Sequence, residues 1–161
     1  MVSLDNSQQI MLQDPPLTIH AQYVKDLSFE NPHPFLAFKN DLTDKPPQIG
    51  IDIQVNVHPL EEKTFEVVLM IRADAKRDQS QLFFVEISYG GIVSIGPQVA
   101  SEHINPLLMI SCPALLFPYI RHLISDATRN GGFPPLMLDP VDFARIYEDQ
   151  QNKEVQPSSL N

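Results

Sequence analysis

Residues 49–58, Ile-Gly-Ile-Asp-Ile-Gln-Val-Asn-Val-His, set Ile49, Ile51, Ile53, Val55 and Val57 against Gly50, Asp52, Gln54, Asn56 and His58 in strict alternation. Side chains on a β-strand point by turns to opposite faces, so this stretch is held to a strand with one apolar and one polar side. After Glu61-Glu62-Lys63, residues 64–77 repeat the pattern, with Phe65, Val67, Leu69, Ile71 and Ala73 on one face. Residues 81–95, QLFFVEISYGGIVSI, put Phe83, Val85, Ile87 and Tyr89 on one side and Leu82, Phe84, Glu86 and Ser88 on the other. Residues 17–29 alternate too: Leu17, Ile19, Ala21, Tyr23, Leu27 and Phe29 share a face, with Lys25 the exception. Four strands at hairpin spacing predict an antiparallel meander with one apolar face. The Gly90-Gly91 pair predicts a bulge or tight bend in the last strand.

The pattern changes after residue 97. Residues 101–130 have helical length and composition and stop at Gly131-Gly132. Pro106, Pro113 and Pro118 forbid one straight, fully bonded helix, which predicts a start or kink near Pro113. Leu115, Leu116, Tyr119, Ile120, Leu123, Ile124 and Ala127 wrap more than half the helix, so both of its sides are expected to be covered. Residues 133–140, FPPLMLDP, read as an extended connector. A short amphipathic helix follows over 140–153, with Asp139 before Pro140 as its cap. Between the first two strands, residues 30–48 form a proline-rich irregular loop carrying Phe35 and Phe38. Strands first and helices second predict an α+β fold: a four-stranded antiparallel sheet on a long, proline-interrupted helix plus a short C-terminal helix. The domain is expected over 17–150, with a loose N-terminal arm (1–16) and a polar tail (151–161). One sheet covers one side of the long helix, so the other side is expected to pack on a second copy of the chain.

A formal charge of −9 argues against nucleic acid and anionic lipid and suits a basic partner or client. The single cysteine, Cys112, lies before Pro113 in an apolar run and reads as a buried, inert thiol in a reducing compartment. The N-terminus lacks a cationic start with an apolar run, and no stretch of ~20 uninterrupted apolar residues occurs, so the expected location is cytoplasmic. His20, His33, His58, His103 and His122 share no metal-ligand spacing with one another or with Cys112. No G-x-S-x-G elbow is present, and YGGIVSIG lacks a phosphate-binding lysine. The expectation is no enzyme, no metal and no cofactor.

Two surface themes are left. Phe29, Phe35, Phe38, Phe133, Phe143 and Tyr147, with FPPLML, put aromatics and a methionine in or beside connectors, as an adaptable groove for extended peptide requires. Asp26, Glu30 and Glu86 gather acid on the non-core face of the sheet, as a docking site for a basic partner requires. The rival reading is a small apolar-ligand carrier, in which the apolar side chains converge on an enclosed cavity.

YVKDLSFENP, VEISYGGIVSI and CPALLFPYIRHLISDATRNGGFPPLMLDPVDF closely resemble the SecB family of protein-export chaperones over residues 17–147. The run C-P-x-x-L-F-P-Y-x-R leading to G-x-F-P-x-L-x-L-x-P-V-x-F is highly specific. The resemblance implies a cytosolic homotetramer, a dimer of dimers with sheets outside and long helices between. It implies an ATP-independent holdase that keeps secretory preproteins unfolded and passes them to the SecA motor ATPase. The motif positions of the motor-docking surface are Asp26, Glu30, Phe84 and Glu86. The client groove is implied in the segments bearing Phe35, Phe38, Phe133, Leu136, Phe143 and Tyr147. Members often carry a tryptophan where this chain has Leu42, a departure that touches one groove wall.

Overall fold

A computed structural model describes residues 14–39 and 45–155. Four long strands, β1 (Leu17–Glu30), β2 (Gln48–Glu61), β3 (Thr64–Arg77) and β4 (Ser80–Ile95), form one antiparallel sheet in the order β1-β4-β3-β2. This corrects the expected meander. β2, β3 and β4 follow one another through tight hairpins, but β1 lies beside β4, so the chain returns across the sheet in Greek-key fashion. Residues 31–47 therefore link the two edge strands. The short helix α1 (Pro34–Lys39) interrupts what the sequence presents as irregular loop. Each hairpin turn uses one residue in the left-handed region, Lys63 at φ 56° and Asp78 at φ 53°.

Alternation holds without interruption along most of β2 and β3 and fails in β1. Its pairing with β4 slips between Ile19 and Ala21 and again between Val24 and Asp26. Each bulge inserts one extra residue and exchanges the faces. Ala21 and Tyr23, expected in the core, thus lie on the outer face, while Gln22 and Val24 take the inner one. The second bulge, at Lys25, restores the pattern, so Leu27 and Phe29 face inward as expected. A further slip between Ala75 and Lys76, at the start of β4, turns Leu82 inward beside Phe83. Leu82 is buried, against the expectation from simple alternation.

The Gly90-Gly91 pair is not a bulge, for β4 keeps its register with β3 through both residues. A side chain on Gly90 would meet the Tyr23 ring at 2.6 Å on the outer face, and one on Gly91 would meet Leu116 at 3.3 Å on the inner face. The pair lets two neighbours approach one strand from opposite sides.

Across the inner face runs α2 (Ser101–Asn130), one continuous helix. A π-helical turn over Leu107–Ser111, closed by the Cys112 N–H donating to the Leu107 carbonyl, sits immediately before Pro113. That extra residue accommodates the proline without a break, which is how the expected kink is resolved. Leu108, Cys112, Leu116, Ile120 and Ile124 form the helix stripe that packs on Val67, Leu69, Ile71, Val85, Ile87 and Val93 of β3 and β4. The helix is long and apolar enough to cross a bilayer, a property that a search for uninterrupted apolar runs passes over. In this fold its stripe is the core of the sheet.

At the end of α2 the buried Thr128 hydroxyl donates to the Ile124 carbonyl at 2.9 Å and accepts from the Leu136 N–H at 2.9 Å, tying the connector 131–142 back onto the helix. Gly132, at φ 90°, makes the turn. The last helix, α3 (Phe143–Val155), starts later than expected, and its cap is Asp142, whose carboxylate accepts from the Arg145 N–H at 3.2 Å, rather than Asp139. Residues 1–13, 40–44 and 156–161, including Leu42 and most of the expected arms, lie outside the described residues.

Candidate functional site

The outer face of the sheet collects the four residues assigned to partner docking. Glu30 pairs directly across from Phe84, Ser28 across from Glu86, and Asp26 across from Ser88. On the other flank of β4, Arg72 faces Glu86 and Asp74 faces Phe84. Arg72 Nε donates to the Glu86 carboxylate at 2.6 Å, and the same guanidinium lies 5.9 Å from the centre of the Phe84 ring. Glu86 is therefore ion-paired rather than free. Asp26 and Glu30 are exposed beside it, which leaves acid surrounding one half-buried aromatic ring. Arg72 and Asp74 went unnoticed in the sequence because their place beside Glu86 depends on the pairing of β3 with β4.

Further along the same face, the bulges in β1 bring Tyr23 and Lys25 together over Glu66. The Tyr23 hydroxyl donates to Glu66 at 2.6 Å, and Lys25 Nζ donates to both carboxylate oxygens at 2.9 and 2.8 Å. Lys25 and then Tyr23, as donors, hold the Glu66 carboxyl below the usual carboxylate range. Burial and then the bond to Glu66 push the Tyr23 phenol up to about 12. This cluster pins edge strand β1 to β3 across the intervening glycine.

On the inner face, α2 leaves one end of the sheet uncovered. An apolar groove of 260 Å³ opens there between the sheet and the connector, walled by Pro46, Pro47, Ile49, Leu82, Phe83, Phe133, Pro134, Pro135 and Leu136. Ile49 is 40% exposed and Ile51, two residues on and on the same face, 49%. Phe133 and Leu136 lie in the wall of this groove, with Phe133 held against Phe83 at 5.0 Å between ring centres. Phe35 and Phe38 stand on α1, 65% and 84% exposed, and form no part of its wall. Phe143 is a core residue, 4% exposed and packed edge-on against Phe117. Its apolar body anchors α3, so its ring is closed to a ligand as placed. Tyr147 sits half-buried on α3 away from the groove. Ile49 and Leu82 are wall residues the sequence assigned to the strands alone; the bulge that turns Leu82 inward is invisible without the pairing.

A second cleft, of 500 Å³, lies between β1 and α2 and includes Val24, Tyr89, Tyr119 and Leu123. Tyr89 and Tyr119 stack at 6.0 Å. Burial and then Tyr119 raise the Tyr89 phenol above its ordinary value. Leu115 and Tyr119 on this side of α2 remain about half exposed. The Cys112 thiol is buried and pushed up to about 12 by that burial, which makes it inert at neutral pH. Among the described residues no group of three or more His, Cys, Asp or Glu side chains is placed to hold a metal.

The model of the family described as preprotein translocase subunit SecB matches residues 11–154. The protein-export protein SecB of Mesorhizobium japonicum is 50% identical over 153 residues, covering 89% of this chain and 87% of its own length. The protein of the same name from Bartonella quintana is 45% identical over 150 residues, covering 90% and 93%. Among solved structures, a SecB-like chaperone of Mycobacterium tuberculosis, in complex with an antitoxin peptide, aligns with a TM-score of 0.63 at 13% identity. That alignment covers 78% of this chain and 91% of the solved one, and it supports the fold. By family model and by identity along nearly its whole length, the chain belongs to the SecB family of protein-export chaperones.

Proposed function

We propose that this protein holds secretory preproteins unfolded in the cytoplasm, without ATP, and delivers them to the SecA motor. The observation that carries the reading is the apolar groove at the uncovered end of the sheet. Ile49, Pro134 and Pro135 in its walls are exposed, so it is an open trough and not an enclosed cavity. A trough of this kind suits extended chain of many sequences, whereas a small-ligand carrier needs convergence around one molecule. The connector that forms one wall is fixed by Thr128, so the surface is preformed. Release needs no chemistry in the chaperone if the motor, docked at Asp26, Glu30, Phe84 and Glu86, competes for the client. The net charge of −9 keeps a molecule with such exposed apolar surface soluble.

The assembly proposed is a homotetramer, a dimer of dimers, in which Leu115 and Tyr119 on the free side of α2 are covered by other copies. Light scattering is then expected to give about 73 kDa, four chains of 18.2 kDa.

The function is tested by titrating the protein, without nucleotide, with a secretory precursor in its unfolded and its folded form. Binding of the unfolded form alone is the expected result. Equal binding of both forms, or of neither, would overturn the chaperone reading.

A further inference from the structure

Four residues stand in one row across the outer face of the sheet: Ser28 on β1, Glu86 on β4, Arg72 on β3 and Asp52 on β2. Arg72 thus has a carboxylate on either side, and directly opposed side chains start only about 5 Å apart at Cβ. It is held by one of the two. Its Nε donates to Glu86 at 2.6 Å, and its guanidinium lies 5.9 Å from the centre of the Phe84 ring. Asp52 is exposed and accepts from the neutral Gln54 amide at 3.1 Å.

A basic side chain arriving at this face has two features to recognise, a carboxylate to pair with and an aromatic ring to lie over. Arg72 already uses both. It stands where a cation of the partner would stand, and that cation gains Glu86 and Phe84 only if the guanidinium leaves. The pair is lightly held, for its side chains are 46% and 24% exposed and ion pairs in such a setting contribute little. Asp52, on the next strand, offers the displaced guanidinium a second carboxylate of the same kind. A ligand that takes one of two such seats shifts the arginine to the other.

We propose that Arg72 is a competitor built into the docking face, covering Glu86 and Phe84 in the free chaperone and moving to Asp52 when a basic segment of the motor docks. The proposal rests on the reading of this face as the motor-docking site and names the residue that sets its selectivity. A lone cation has to displace Arg72 for the gain of one pair. A segment that also reaches Asp26 and Glu30 recovers that loss, so chance basic contacts are turned away.

The test measures SecA binding to the full-length protein, to Arg72→Gln, to Asp52→Asn and to the double variant at one salt concentration. Arg72→Gln is expected to bind SecA about fivefold more tightly, the scale of one exposed ion pair and one cation–π contact that no longer compete. Asp52→Asn should weaken binding by the otherwise unaltered chain about threefold, because the displaced arginine has lost its second seat, and should have no effect beside Arg72→Gln. Thermal melts and unchanged binding of an unfolded precursor establish that each variant is intact. Equal or weaker SecA binding by Arg72→Gln overturns the proposal. So does an Asp52→Asn effect that is absent from the unaltered chain or equal in both backgrounds, for the arginine then does not move to Asp52. If SecA binds none of the four proteins, the docking reading fails by itself, and a blocked tetralysine peptide titrated against the same set decides. The same pattern of affinities supports the competitor; no gain in Arg72→Gln overturns it.

Discussion

On the inner side of β4, Val85, Ile87 and Val93 have no exposed surface, and Leu116, Ile120 and Ile124 of α2 lie over them equally closed. On the outer side of the same strand, Phe84, Glu86 and Ser88 keep part of their surface in water and meet only side chains of the sheet. A single backbone thus separates side chains that make the fold from side chains left free to bind. The uncovered end of the inner face is a third case: Ile49 and Ile51 have core chemistry without a helix above them and stay 40% and 49% exposed. Stability and binding are therefore expected to respond to different residues, even where these adjoin in sequence.

The largest effect belongs to the closed side. Leu116→Ala is expected to cost about 2–5 kcal/mol in urea unfolding, the range for deleting a fully buried leucine. A loss below ~1 kcal/mol would mean that α2 is not held by this stripe.

Gly90→Ala breaks the separation from the outer side. The new methyl group would lie 2.6 Å from the Tyr23 ring, so a loss of about 1–3 kcal/mol is expected. In a Tyr23→Ala background the same change should cost much less, and an equal cost in both would remove the ring as the cause.

A pH profile sharpens the comparison further, because the Tyr23–Lys25–Glu66 cluster is a place where side chains of the outer face tie edge strand β1 to β3. The Tyr23 phenol is raised from 10 to about 12, so its contribution is complete below pH 10 and disappears as the pH climbs toward 12. The Glu66 carboxyl is lowered, so its contribution is present above its unfolded value near 4.5 and is lost as the pH falls through the folded value. Thermal midpoints followed across pH should show both declines; Tyr23→Phe should shrink the alkaline one and, by removing a donor to Glu66, weaken the acid one in part.

The smallest stability effect is expected from Glu86. Its pair with Arg72 is partly exposed, with side chains 24% and 46% open, so Glu86→Gln should change unfolding by less than ~1 kcal/mol.

The strands β2 and β3 were legible because nothing interrupts their alternation between Ile49 and Ala75. β1 was half legible: bulges at His20 and Lys25 exchange its faces, and a period-two pattern has no means of registering an inserted residue. The strand order escaped the sequence because the pairing of β1 with β4 spans the whole sheet, while hairpin spacing reports only local neighbours. That Phe133 and Leu136 wall an apolar groove was legible from their place in a connector rich in proline. Phe143 was assigned to the same surface, but a helix that docks on Phe117 buries it. The acidic face was legible as charges on one side of two strands; its cation, Arg72, became visible only with the register.

The central claim is that the two faces of one sheet bind separately, the acidic outer face the motor and the inner groove the client. It is tested most directly with Glu86→Lys, by measuring binding of SecA and of an unfolded secretory precursor to the same preparation beside the unaltered protein. The account predicts that SecA binding is lost while precursor binding and the assembly mass are unchanged. Loss of both bindings, or retention of both, would contradict it.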